Sequence, residues 1–131
     1  MVVDTSALVA VLLEEPLADT IGPLLLGSAP IIAAPNYLEA HMVLAKHYGV
    51  RTADILQQRL AQLGITVVEF TPEQAVVAAR AFDQYGKGRH PASLNFGDCI
   101  AYALAKSTHQ RLLFVGQDFA QTDVRAALMM G

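Results

Sequence analysis

The sequence predicts an α/β fold in which helices cover both faces of a parallel sheet. Two observations lead to this prediction. Short apolar or β-branched runs alternate along the chain with longer helical segments, a pattern typical of parallel sheets. The chain has 131 residues, 53% hydrophobic and 16% charged, which suits one domain with a substantial core. We therefore expect a single domain over residues 1–131.

The amino-terminal segment is expected to contain one strand and two helices. Val2 to Asp4 is a short β-like run, and Thr5-Ser6 after it can cap a helix that begins near Ala7. Pro16 fits the first turn of a second helix, where a missing N–H is tolerated. Gly27-Ser28 should end that helix.

The next segment predicts a buried strand and two further helices. Ile31 to Ala34 is an apolar run between prolines, as expected of a strand covered on both faces. A helix should start after Asn36 and continue to Gly49 with apolar residues along one face. Another helix is predicted from about Thr52 to Leu63.

The second half of the chain repeats the alternation. A β-branched run and a short apolar run predict two strands, and proline or asparagine marks the start of each of two helices. An exposed loop rich in glycine and basic residues separates those helices. The expected elements are a strand over Ile65–Phe70, a helix from Pro72 to near Tyr85-Gly86, the loop GKGRHPASL, a helix that follows Asn95 and runs through Ser107, and a strand over Leu112–Val115.

Four acidic residues are predicted to meet at one edge of the sheet. In a right-handed parallel β/α fold, helices that follow strands begin at the carboxyl edge, where such sheets bind ligands. Asp4 ends the first strand between apolar neighbours, and Glu39 lies in the first turn of the helix after the second strand. Asp98 lies in the first turn of the last long helix, and Asp118 lies three residues beyond Val115.

Such a cluster of carboxylates predicts a divalent metal site. Like charges raise one another's pKa unless a cation compensates them. All-oxygen ligands, with a single cysteine and no paired histidines, favour Mg²⁺ or Mn²⁺ over zinc. One such ion, or two, can activate water for in-line phosphodiester displacement, which makes a metal-dependent phosphodiesterase the expected chemistry.

Structural roles compete with this interpretation for each acid taken singly. Asn36 with Glu39, and Asn95 with Asp98, match the spacing of helix capping boxes. Asp118 follows Gly-Gln, as an ordinary turn residue does. Asp4 is harder to explain structurally, because burying an unpaired carboxylate is costly and Thr5 or Ser6 can serve as the cap.

Composition limits the remaining functional classes. The net charge is −3, from 12 acidic and 9 basic residues, which argues against a basic nucleic-acid-binding surface. If metal occupied four carboxylates, 8 acidic residues would face 9 basic ones, so an RNA substrate is still compatible. Without a basic leader or an apolar run of membrane-spanning length, the chain is expected to be cytoplasmic and not membrane-bound. The lone Cys99 excludes an internal disulfide.

Four segments together resemble a known family. VVDTSAL, PNYLEA, NFGDCIAYALAK and LLFVGQDFAQTD are similar, in order and spacing, to the PIN-domain ribonucleases of the VapC toxin type. The likeness spans nearly the whole chain. It implies a three-layer α/β fold with a central parallel sheet, a homodimer, and Mg²⁺- or Mn²⁺-dependent endoribonuclease activity on RNA. It also implies restraint by a cognate VapB-like antitoxin.

The resemblance also implies roles for individual residues. Gln117 stands where the family often has asparagine, a change that leaves the carboxylates untouched. Thr5 or Ser6 resembles the hydroxyl that orients the first aspartate. Asp123 is close enough to Asp118 in sequence to take the fourth acidic position instead. The metal-binding acids implied by the family pattern are Asp4, Glu39, Asp98 and Asp118.

The loop before Asp98 carries a basic group. Lys87, Arg89 and His90 are candidates for contacts to RNA phosphates, which add affinity without reading sequence. The alternative is that they are solvated loop charges, which is common in flexible loops.

Two other classes of function compete with the ribonuclease. A phosphoryl-transfer domain also places aspartates at strand ends, but a haloacid-dehalogenase-like phosphatase needs an aspartate where Ser6 stands. A receiver domain needs an acidic pair after the first strand, which is lacking. The other alternative is a non-catalytic PIN-like module that binds RNA or protein, although all four acids are intact.

Overall fold

Four parallel strands form the central sheet in the order β3-β2-β1-β4. The computed structural model describes residues 1–128, so residues 129–131 of the expected domain lie outside the described residues. The strands are short: β1 Val2–Val3, β2 Ile31–Ala33, β3 Thr66–Val68 and β4 Leu112–Leu113. The predicted parallel sheet is confirmed.

Helices cover both faces of this sheet, so the expected three layers are confirmed. Val3, Ile32 and Leu113 pack with the helices of the first half of the chain. Their neighbours Val2 and Leu112 point to the opposite face and pack with the last two helices. The helices are α1 Thr5–Leu12, α2 Ala18–Leu25, α3 Ala34–Tyr48, α4 Thr52–Leu63, α5 Pro72–Tyr85 and α6 Phe96–Ser107, with short 3₁₀ helices at Gly49–Arg51 and Asp118–Gln121.

Helices α4, α5 and α6 agree closely with the sequence prediction because their end signals are local. Thr71 and Gln74 form a reciprocal capping box at the start of α5, with Pro72 in its first turn. Gly64 ends α4 in the left-handed region at φ 71°, where glycine carries no Cβ penalty.

The predicted start of α1 is wrong. The helix begins at Thr5, and Asp4 is its N-cap: the carboxylate Oδ2 accepts a hydrogen bond from the Ser6 amide at 3.0 Å. Thr5 and Ser6 are therefore helical residues and not caps. An aspartate that ends a strand can begin the next helix directly, which leaves β1 one residue shorter than expected.

The start of α3 is also earlier than predicted. The helix begins at Ala34, directly after β2, with Pro35 in the first turn, where no intrahelical N–H is needed. In contrast, Pro16 lies outside α2, which begins at Ala18 and contains Pro23 instead. The strands β3 and β4 are shorter than the apolar runs that predicted them, because only part of each run pairs with a neighbouring strand.

Among residues 1–128, no helix has both the length and the apolar composition needed to span a membrane.

Candidate active site

The carboxyl end of β1 is the centre of the candidate site. From β1 the chain continues to β2 on one side, and β4 later pairs on the other side. The carboxyl edge at such a reversal of strand order is where open α/β sheets bind ligands. Asp4 stands at this point, with its amide donating to the Leu113 carbonyl of β4 at 2.9 Å.

Asp4 is a buried carboxylate with an unfavourable environment for its charge. The residue is only 4% exposed. Burial raises its pKa to about 6, and the charge of Glu39 adds to this, although hydrogen bonds from Ser6 oppose the rise. Ser6 Oγ donates to Asp4 Oδ2 at 2.5 Å and accepts from the Val115 amide at 2.9 Å. Ser6 thus orients Asp4 and joins it to the end of β4.

Glu39 reaches the same site from α3, but not from the predicted position. The helix begins at Ala34, so Glu39 lies in its second turn, and the expected Asn36–Glu39 capping box is absent because Ala33 is the N-cap. Thr5 Oγ1 donates to Glu39 Oε1 at 2.5 Å. Thr5 therefore orients Glu39, while Ser6 orients Asp4.

Asp98 has both of the roles between which the sequence could not decide: it completes a helix capping box, and it adjoins the other acids of the site. Its Oδ2 accepts from the Asn95 amide at 3.1 Å, and Asn95 Oδ1 accepts from the Asp98 amide at 2.9 Å, which completes the predicted capping box. Burial is the main cause that raises the pKa of Asp98 to about 7, and the charges of Asp4 and Asp118 add to the rise. The hydrogen bond from the Asn95 amide acts in the opposite direction.

Asp118 and Asp123 occupy different environments. Asp118 begins the 3₁₀ helix after β4, and its carboxyl group is near enough to that of Asp98 to raise the pKa of Asp98. Asp123 instead accepts from Tyr102 Oη and from Lys106 Nζ, the latter at 3.0 Å. Burial alone would raise the pKa of Asp123, but these two donors outweigh it and hold the pKa below its usual value. Asp118 is thus the acid that adjoins the cluster.

The four candidate acids are neighbours in pairs: Asp4 with Glu39, Asp4 with Asp98, and Asp98 with Asp118. In the part of the chain that the structure describes, no three histidine, cysteine or acidic side chains are arranged to hold a metal ion as they stand. The donor chemistry nevertheless fits a hard divalent cation, since all donors are carboxylate oxygens and two of them have raised pKa values.

The three basic loop residues have local contacts of their own. Arg89 places its guanidinium 5.3 Å from the centre of the Phe82 ring. His90 accepts from the Ala92 amide through Nδ1 at 3.0 Å and packs edge-on against Tyr85. Lys87 is exposed.

Two residues beside Glu39 were missed by sequence reasoning. Asn36 is 1% exposed, and its Nδ2 donates to the Gly97 carbonyl at 3.1 Å and to Glu39 Oε1 at 3.4 Å. An added Cβ at Gly97 would lie 2.3 Å from Glu39 Oε2. No local signal marks either contact in the sequence, because asparagine is a common helix cap and only the structure places Asn36 inside α3.

Comparison with known proteins agrees with this architecture. The family model described as PIN domain matches residues 1–125. The chain is similar to the protein named Ribonuclease VapC36 from Mycobacterium tuberculosis, with 44% identity over an alignment that covers 100% of this chain and 96% of that protein.

Solved structures show the same fold at lower sequence identity. The VapC20 toxin of Mycobacterium tuberculosis, described as cleaving the sarcin-ricin loop, matches with a TM-score of 0.73 at 15% identity, over 94% of this chain and 95% of that one. A toxin-antitoxin complex from Klebsiella pneumoniae matches with a TM-score of 0.70 at 16% identity, over 93% of this chain and 92% of that one. From the model match and the full-length relatives together, the chain belongs to the PIN-domain family, among its VapC ribonucleases.

Proposed function

We propose that this chain is a toxin endoribonuclease that hydrolyses RNA phosphodiester bonds at the acidic cluster. The observation that carries the proposal is the meeting of Asp4, buried at the end of β1, with the half-buried Asp98 of α6, since each has a raised pKa and each adjoins another carboxylate. Full-length similarity to VapC ribonucleases supplies the reaction class.

The proposed ligands of a divalent cation are Asp4, Glu39, Asp98 and Asp118. PIN-domain ribonucleases of this kind generally depend on a divalent metal, and carboxylate-only donors favour Mg²⁺, or Mn²⁺ in its place. A bound cation would supply an activated water and stabilise the oxygens of the phosphoryl group. Because the acids adjoin one another only in pairs, the proposal requires their side chains to move together when the cation binds.

The chain's own groups would orient the acids and attract the substrate. Ser6 and Thr5 hold Asp4 and Glu39 through their hydroxyls. The amino terminus of α6 lies beside Asp98 and favours negative charge such as phosphate. In the basic loop, we propose Lys87, Arg89 and His90 as contacts to the RNA backbone, since two are exposed and the third is half-buried.

We further propose a homodimer in the cytoplasm, restrained by a VapB-like antitoxin. One structural neighbour is a toxin-antitoxin complex, which supports the antitoxin partner. An arginine or lysine from the antitoxin placed against Asp4 and Asp98 would substitute for the cation, because a charge-assisted hydrogen bond stabilises an ionised carboxylate.

The test is RNA cleavage by the purified protein with EDTA, Mg²⁺ or Mn²⁺. We expect cleavage only with a divalent metal, and none for Asp4→Asn or Asp98→Asn with the fold retained by circular dichroism. Asp83→Asn, which changes an exposed carboxylate on α5, is the matched control and should cleave normally. Cleavage that survives in both site variants would overturn the proposed site. Tight RNA binding without any product would instead indicate a non-catalytic binding module.

A further inference from the structure

Glu39 is held by donors from two different helices. Thr5 Oγ1 in α1 lies 2.5 Å from Glu39 Oε1 and 3.2 Å from the Asn36 carbonyl. A hydroxyl carries a single proton, so the shorter contact to Glu39 takes it. Asn36 Nδ2 adds a second, longer donor to the same carboxylate oxygen at 3.4 Å.

Asn36 also joins α3 to α6. Its Nδ2 donates to the Gly97 carbonyl at 3.1 Å, across 61 residues of sequence. The opposite orientation of the amide would place Oδ1 against two acceptors, so the hydrogen bonds settle which way the side chain faces. In this orientation Oδ1 is buried without a hydrogen-bond partner among residues 1–128. A buried oxygen without a hydrogen-bond partner is unfavourable. The benefit of asparagine at position 36 must therefore come from its Nδ2 donor.

Gly97 provides the space that the Glu39 carboxylate occupies. An added Cβ at Gly97 would lie 2.3 Å from Oε2, 2.6 Å from Oε1 and 2.7 Å from Cδ of Glu39. Separations below 3.0 Å force one of the two groups to move, and here the group that can move is the flexible end of the Glu39 side chain. Gly97 has no positive φ, so backbone conformation does not require glycine at this position.

We propose that Asn36 and Gly97 are positioning residues for Glu39: the Asn36 amide holds the carboxylate, and the missing side chain of Gly97 lets it lie against the first turn of α6. This inference rests on the proposed function, because it gives Asn36 and Gly97 the role of holding Glu39 in place at the proposed metal-binding cluster. Neither residue touches the substrate in this account, and both act through Glu39.

The contribution of Gly97 is testable by stability alone. In the wild-type background, Gly97→Ala should lower the thermal midpoint in EDTA, because the new methyl group moves the Glu39 carboxylate away from its Thr5 and Asn36 donors. In a Glu39→Ala background, the same substitution should raise the midpoint, since alanine is the better helix former once the space is empty. A decrease of similar size in both backgrounds would overturn the role of Gly97.

The contribution of Asn36 is testable by metal binding. We expect Asn36→Ala to weaken Mn²⁺ affinity by about tenfold or more, as is typical when a group that orients a metal ligand is removed. Free Mn²⁺ measured by electron paramagnetic resonance gives this affinity without any RNA. Asn36→Leu, which keeps a similar size and removes the donor without adding a charge, should weaken binding as well and serves if the alanine variant does not fold.

Thr52→Val is the matched control for Asn36. Thr52 is also 1% exposed, and its hydroxyl donates to the Gly49 carbonyl at 2.7 Å, a contact that does not involve Glu39. The control should lose stability and keep its Mn²⁺ affinity. Equal Mn²⁺ affinity in wild type and both Asn36 variants would overturn the proposal. Because neither experiment measures RNA cleavage, failure of the ribonuclease proposal and failure of this one give different results.

Discussion

Asp4 performs a structural task and a chemical one with the same carboxylate. It caps α1 through the Ser6 amide, which explains why an acidic residue is stable at the end of a buried strand. Capping does not remove the electrostatic cost, since the pKa of Asp4 is raised to about 6 by burial, with Glu39 adding to the rise. The capping and metal-site interpretations of Asp4 are therefore compatible with each other, and the same holds for Asp98 at the start of α6.

Neutralising Asp98 should stabilise the protein while abolishing its proposed activity. We expect Asp98→Asn to raise the free energy of unfolding in EDTA at pH 8 by about 1–2 kcal/mol, a value reduced from the full pKa shift because the group is partly exposed to solvent. Asparagine can still accept the Asn95 hydrogen bond, so the cap should survive. Urea unfolding gives the stability, and Asp83→Asn is the control. A destabilised variant would contradict this account of the cluster.

Asp118 and Asp123 should respond differently to the same substitution. Asp118→Asn is expected to remove RNA cleavage, because Asp118 adjoins Asp98. Asp123→Asn should retain cleavage but lose roughly 0.5–1 kcal/mol of stability with its contacts to Lys106 and Tyr102. Parallel cleavage assays and thermal melts of the two variants separate these outcomes. Loss of cleavage in Asp123→Asn alone would reverse the assignment.

At the scale of the elements, α5 and α6 both begin with a capping box, but the two boxes lie in different surroundings. Thr71 with Gln74, and Asn95 with Asp98, form reciprocal capping boxes. The first lies near the end of α6, where Gln74 donates to Ser107, whereas the second lies at the start of α6 and contains Asp98 of the acidic cluster. Comparing the two capping boxes therefore separates the contribution of a cap to protein stability from its effect on the candidate active site.

Removing either cap should cost similar stability and affect activity unequally. Thr71→Ala and Asn95→Ala are each expected to lose about 1 kcal/mol, the usual value of an N-cap. Only Asn95→Ala should reduce RNA cleavage, because the cap at α6 also fixes the backbone that carries Asp98. Urea unfolding and cleavage rates measure the two effects. An equal loss of cleavage in both variants would show that the activity follows overall stability.

At the scale of the whole molecule, the metal-free protein should become less stable as the pH rises. The pKa values of Asp4 and Asp98 increase on folding, from the usual 3.8 to about 6 and about 7. Their contribution to stability is therefore complete below pH 4 and is lost as the pH rises towards 7. Asp123 has a lowered pKa and acts in the opposite sense, but only below its usual pKa of 3.8.

Thermal melts in EDTA should show this loss between pH 4.5 and 7.5. Mg²⁺ or Mn²⁺ at saturating concentration should restore the midpoint at the upper end, because a ligand that binds only the folded state stabilises it. The double variant Asp4→Asn, Asp98→Asn should show a flatter pH dependence and no response to metal. A metal-free midpoint that increases steadily over this range would contradict the electrostatic description.

The sequence by itself determined the fold class and the extents of α4 to α6, and it predicted acids at the carboxyl edge with the choice between Asp118 and Asp123 left open. These follow from local signals and from the regular handedness of parallel β/α units, in which each helix start is directed to one edge. Thr71-Pro72 and Asn95 mark helix starts by hydrogen bonds within a single turn, so no distant residue is needed to predict them.

Only the tertiary structure decided how the acids are held. Asp118 adjoins Asp98, whereas Asp123 pairs with Lys106, and this difference separates the two candidates for the fourth acid. The contact of Glu39 with Gly97 joins two helices that are far apart in sequence. Such contacts depend on how helices pack across the sheet, which no local pattern encodes. For this reason Asn36 was misread as a cap, and its hydrogen bond to Gly97 became evident only in the folded chain.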